Sequence, residues 1–206
     1  MKYVLVFLGI LNISVTAFGK SYFGDTTLSS KKFDQLTVLG VANLDAVTAK
    51  ENSITGPLTA SNITADTFSV TGPMSLKTAK LKKVVITGPV SLTDVTSDTV
   101  TITGYSDFTN VTVAKNLTLI GRLNALNSSF NAVTLTMSES MITDSFAKSI
   151  VVKRPNSDDQ HQKLMFYGNT RIDNVMFESE QGEVHVVYGN KVKIGDVKGA
   201  KIIHHE

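Results

Sequence analysis

The residues with the richest chemistry in this chain do not form a catalytic pattern. The four histidines, His161, His185, His204 and His205, all lie in the last quarter of the sequence. His204, His205 and Glu206 together could hold a metal ion weakly, but a terminal pair of this kind more often forms a solvated tail. Lys77, Lys80, Lys82 and Lys83 crowd one short stretch, and Asp94 and Asp98 follow. A neutralised, solvated face is the simpler reading than a phosphate site. Cysteine is absent, which removes disulfides, thiolate nucleophiles, thiolate-held metals and a lipid-modified N-terminal cysteine. Hydroxyls remain. Thr55, Thr71, Thr87 and Thr103 recur at one spacing, followed by Ile120 and Thr136; two residues earlier run Ser53, Ser69, Val85, Thr101, Thr118 and Thr134. A hydroxyl array has no reaction of its own and is a surface for hydrogen bonding. Thr also suits strand surfaces for plain steric reasons. No catalytic, cofactor-binding or metal-ligating residue is assigned. The candidate site is a surface-binding ladder of Thr55, Thr71, Thr87, Thr103, Thr101, Thr118, Thr134 and Thr136.

The ladder exists because the sequence repeats. Ile54-Thr55-Gly56-Pro57, Val70-Thr71-Gly72-Pro73, Ile86-Thr87-Gly88-Pro89 and Ile102-Thr103-Gly104-Tyr105 place their glycines 16 residues apart. Gly40 and Gly24 extend the series backwards, and Gly121, Met137 and Arg154 extend it forwards with one-residue slips. A fixed period of this length marks a solenoid. Three short alternating pieces recur in each coil. Val38, Ile54, Val70, Ile86, Ile102, Leu119, Leu135 and Val152 share one inward column, with Leu36, Asn52, Phe68, Val84, Val100, Leu117, Val133 and Ile150 two residues before them. Leu28, Leu44, Ala60, Leu76, Leu92, Phe108, Ala125 and Met141 form another, and Phe33, Ala49, Ala65, Leu81, Ser97, Val113, Phe130 and Phe146 a third. One coil buries nothing alone, whereas stacked coils share a core. The fold expected is all-β: a three-sided, single-stranded parallel β-solenoid of about 16 residues per coil. About eight coils, stacked at the usual strand spacing, make a rod roughly 35–40 Å long.

Two corner types support this register. Glycine followed by proline supplies positive φ and then φ fixed near −65°. Asn62, Asp94, Asn110 and Asn127, six residues beyond the glycines, suit a left-handed corner. A further column alternates in sign, Asp34, Lys50, Asp66, Lys82, Asp98 and Lys115, then Asn131 and Lys148. Opposite charges one rung apart attract, and slippage by one coil would set like against like.

Residues 1–19 read as a secretory signal: Lys2, an apolar run from Tyr3 to Leu11, and Ala17-Phe18-Gly19 before the cut. The solenoid is expected over 20–155. Residues 156–206 read as a β cap or as irregular coils, with a hairpin between Val175–Phe177 and Val184–Val187. Exposed solenoid ends invite partners, here around Tyr22 and Phe23 and at the C-terminal piece. Net charge is +2, so there is no general pull toward nucleic acid or anionic membranes. Asn62, Asn110, Asn116 and Asn127 open Asn-x-Ser/Thr sequons, although corner and strand preferences account for the same residues.

The Thr ranks resemble the ice-binding face of insect β-solenoid antifreeze proteins, with Val85 and Ile120 interrupting the array. The coil pattern of residues 24–155 resembles bactofilins, polymer-forming bacterial β-helices, through its Val/Ile-Thr-Gly repeats, and similar repeats occur in surface adhesins and phage fibres. Left-handed β-helix acyltransferases are similar in their stacking but use a catalytic His within longer coils, and pectate-lyase-like enzymes use clustered carboxylates; neither pattern stands in this repeat. The function expected is therefore an exported, non-enzymatic structural or binding protein of a cell envelope or surface, without cofactors. Its partners would be protein, by self-association or with envelope components, or glycan. The alternatives are ice binding through the Thr face and a glycan-active β-helix enzyme, which would need carboxylates or His meeting on one facet.

Overall fold

A computed structural model describes residues 19–154, 161–187 and 191–205. Residues 1–18, and with them most of the expected secretory signal, lie outside the described residues. Nineteen strands follow one another: β1 (Lys20–Phe23), β2 (Thr26–Ser29), β3 (Lys32–Leu39), β4 (Ala42–Asp45), β5 (Thr48–Thr55), β6 (Leu58–Thr71), β7 (Met74–Thr87), β8 (Val90–Thr103), β9 (Ser106–Thr109) and β10 (Thr112–Ile120) come first. Then come β11 (Leu123–Leu126), β12 (Ser129–Thr136), β13 (Glu139–Thr143), β14 (Phe146–Val152), β15 (Lys163–Tyr167), β16 (Arg171–Phe177), β17 (Gly182–Val187), β18 (Lys193–Lys198) and β19 (Ala200–His205). All pair in parallel in one continuous sheet that winds into a β-solenoid of about 11 turns.

The inward columns stack as the repeat dictates. Tyr22, Val38, Ile54, Val70, Ile86, Ile102, Leu119, Leu135, Val152 and Phe177 are successive register partners. All but Tyr22 are buried, so the apolar burial that makes a coil worth forming comes from its neighbours above and below. Two further inward columns, Ala42, Leu58, Met74 and Val90 and then Val47, Ile63, Ala79, Val95 and Val111, complete the tube.

The glycine corner is enforced by contact as well as by conformation. Gly72 has φ 140°, and a Cβ there would run into the carbonyl oxygen of Gly56 one turn below. The prolines leave the ladder intact because their carbonyls still accept: Leu58 N–H donates to Pro73 O at 2.9 Å, and Met74 N–H to Pro89 O at 2.9 Å. The second corner is a column of left-handed residues. Asn62, Asp94, Asn110 and Asn127 have φ between 50° and 56° as expected, and Ser30, Ala46, Thr78 and Asp144 share the conformation.

Two expectations need correction, the inward place of Met141 and Phe146 and the C-terminal hairpin. The period slips at a bulge between Val113 and Asn116, and again before β13, where Ala125 pairs with Ile142 and Phe130 with Ala147. Ile142 and Ala147 therefore fill the core, while Met141 and Phe146 sit half-exposed. The expected hairpin does not form: β16 pairs with β14 and β18, and β17 with β15 and β19. The corner at Glu180, φ 56°, carries the chain to the next facet instead of folding it back. With β15 to β19 continuing the same ladders, the stack runs past the eight coils that the repeat alone displays.

Candidate binding faces

The hydroxyl ladder is one face of the rod. Thr55, Thr71, Thr87, Thr103, Ile120 and Thr136 are register partners in turn, as are Ser53, Ser69, Val85, Thr101, Thr118 and Thr134. Thr55, Thr71, Thr87, Thr103 and Thr101 are exposed, and Thr118, Thr134 and Thr136 half-exposed. Alternation explains the geometry, since Ile54, Val70 and Ile86 point inward between the two ranks. Neighbouring hydroxyls along a rank stand one strand spacing apart, about 4.8 Å. Ile120, 54% exposed, closes the run of four threonines, and Leu39 and Phe23 precede it as exposed apolar residues in the same rank.

Beyond the glycine corner the surface changes character. Val41, Pro57, Pro73, Pro89 and Tyr105 line a shallow groove of about 400 Å³, beside Thr59, Ser75, Ser91 and Asp107. Tyr105 closes one end by donating its hydroxyl to Asp107 at 2.8 Å, and that bond holds the phenol above its ordinary ionisation range. The prolines are legible in the sequence as corner residues, whereas the apolar strip they make exists only where successive corners stack.

The charge column pairs in a definite sense. Lys50 meets Asp34 at 2.8 Å, Lys82 meets Asp66 at 2.7 Å and Lys115 meets Asp98 at 2.9 Å, each lysine reaching back to the turn before it. The hydrogen bond to Asp34 raises the pKa of Lys50, and that to Asp66 raises Lys82. Of the basic stretch on β7, Lys82 is thus committed to an ion pair, while Lys77, Lys80 and Lys83 are exposed on its outer surface. Corner side chains form a second polar line. Asp45 accepts from Ser61 Oγ at 2.6 Å and Asn62 Nδ2 at 2.9 Å, which lowers its pKa, and Asp94 accepts from Asn110 at 2.9 Å. The sequon residues Asn62, Asn110, Asn116 and Asn127 are all exposed.

The histidines divide. His161 and His204 are exposed, but His185 is buried on β17 and bonded on both ring nitrogens. Its Nε2 lies 2.8 Å from Glu183 Oε2, and its Nδ1 2.6 Å from Nε2 of His205 on β19. This cluster was missed because irregular coil lengths hide which residues of the last turns meet. Among the described residues no group of three or more His, Cys, Asp or Glu could hold a metal ion, and no helix is long and apolar enough to cross a membrane.

No family model matches this chain, and neither a curated protein nor a solved structure is significantly similar to it. The stacked-coil architecture is common ground with the β-solenoid proteins that the repeat resembles.

Proposed function

We propose that this chain is an exported, non-enzymatic rod that serves as a structural or binding element of a cell envelope or surface and makes its contacts through its strand faces. The observation that carries this reading is the register of Thr55, Thr71, Thr87 and Thr103, all exposed, over four consecutive turns. Such a face is held by the backbone ladder, so it is ordered before a partner arrives and the ordering cost of binding is small. The partners that fit are proteins of the envelope, further copies of the chain, or glycan with hydroxyls to match the ranks.

The test is capture from an envelope fraction with the full chain and with a variant carrying Thr71→Lys and Thr87→Lys. The reading expects retained fold and lost partners in the variant. Partners retained in full, or turnover of a glycan polymer by the purified chain, would contradict it. Ice binding is the second reading, supported by two parallel hydroxyl ranks set two residues apart along each strand, with Val85 and Ile120 breaking them. Thermal hysteresis in the purified protein, abolished by the same variant, would establish it.

A further inference from the structure

The imidazoles of His185 and His205 lie end to end. Their centroids are 4.9 Å apart, their planes are within 19° of parallel, and the facing nitrogens are only 2.6 Å apart. Face-to-face stacking cannot bring two nitrogens so close at that centroid separation, so the two lone-pair directions point at one another nearly in one plane. A nitrogen pair in this arrangement needs one proton between its members.

The other groups around the pair set the sequence of protonation. Glu183 accepts from His185 Nε2 and has its pKa lowered, first by that hydrogen bond. Lys163 of β15 and Lys201 of β19 stand opposite Glu183 in register, and His161 adds to the positive surroundings of the same carboxylate. Met165 of β15 is the register partner of His185 on one side, with the Tyr167 hydroxyl on its sulfur, and Ile203 is the partner on the other; His204 adjoins His205. With both rings uncharged, His205 Nε2–H donates to His185 Nδ1. One added proton reverses that bond: His185 then donates from both nitrogens, to Glu183 and to His205. A second added proton puts N–H against N–H, with two like charges in contact. The bond is then lost, and His205, at the surface, is the ring able to swing away.

We infer that Glu183, His185 and His205 form a proton-operated clasp that fastens β19 to β17 near neutral pH and releases it in acid. Its location makes release local. Among the described strands β19 pairs only with β17, and it is exposed or half-exposed along its whole length. Opening it would bare the ladder edge of β17 without disturbing the regular turns before it, and would give the rod an acid-dependent contact surface.

Hydrogen exchange of the full chain tests this, with rates corrected for the intrinsic pH dependence of exchange. Between about pH 7.5 and about pH 5, where histidine changes charge, β19 amides should lose about tenfold in protection, and β6 to β8 amides should not change. His205→Gln should remove that step while leaving the rest of the rod protected. Ring nitrogen shifts of the wild-type chain should show one proton shared between the rings near neutrality. Equal β19 protection at both pH values, a step that persists in His205→Gln, or two rings that titrate independently would overturn the clasp.

Discussion

Asn52 is the sharpest conflict at the scale of single residues. It stands in the column of Leu36 and Phe68, is buried, and neither its amide nitrogen nor its carbonyl oxygen has a partner among the described residues. Burying an amide without hydrogen bonds costs about 1–3 kcal/mol. Asn52→Leu should therefore raise stability by about that much in denaturant titration, and a destabilised variant would show that the amide is satisfied. Thr78 is a second conflict, a β-branched residue at φ 56°. Asn tolerates that conformation better, so Thr78→Asn should add up to about 1 kcal/mol, read as a higher melting midpoint. Both residues were visible in the sequence as departures from their columns. What could not be read there was the cost, since Ser97 in a comparable inward position is satisfied by the carbonyls of Lys82 and Thr99.

At the scale of elements, the regular coils were legible because each column repeats one physical demand. Gly72 illustrates the strongest. Gly72→Ala combines a conformation reserved for glycine with a clash against the Gly56 carbonyl. It should destabilise by at least about 2–3 kcal/mol in denaturant titration, and a neutral result would refute the close stacking of these corners. The charge column was also legible, but the direction of its pairing was not. Each lysine is long enough to reach either neighbour, and only coordinates show that Lys82 turns to Asp66 and not to Asp98. Legibility failed where coil length changes. A single-residue slip before β13 moved Met141 and Phe146 out of the core, and β16 followed by β17 imitated a hairpin. Period-two alternation marks a strand and says nothing about which strand lies beside it.

The whole molecule inherits a pH dependence from these surface bonds. Asp45 is held below its ordinary value of 3.8 by Ser61 and Asn62, and Glu183 below 4.5 by His185. Carboxylates lowered in this way stabilise the fold above their unfolded values, and that contribution is lost as pH falls through the folded values. Lys50 and Lys82 are raised above 10.5 by Asp34 and Asp66, so their contribution is complete below 10.5 and disappears as pH rises through the folded values. Thermal melts across pH should therefore show a plateau with an acid limb that Asp45→Asn flattens and an alkaline limb that Lys82→Met flattens. Limbs unchanged in both variants would remove these bonds from the account.

Everything proposed for the faces depends on turns stacking one strand spacing apart along a straight column. The natural absence of cysteine makes that directly measurable by spin labels on paired cysteines. Placed at Thr55 with Thr87, with Thr103 and with Thr136, the labels span two, three and five rungs. Pulsed electron resonance should give separations that lengthen by about 4.8 Å per rung, to about 24 Å for the longest pair. Separations that fail to increase with rung number would contradict the stacked solenoid itself.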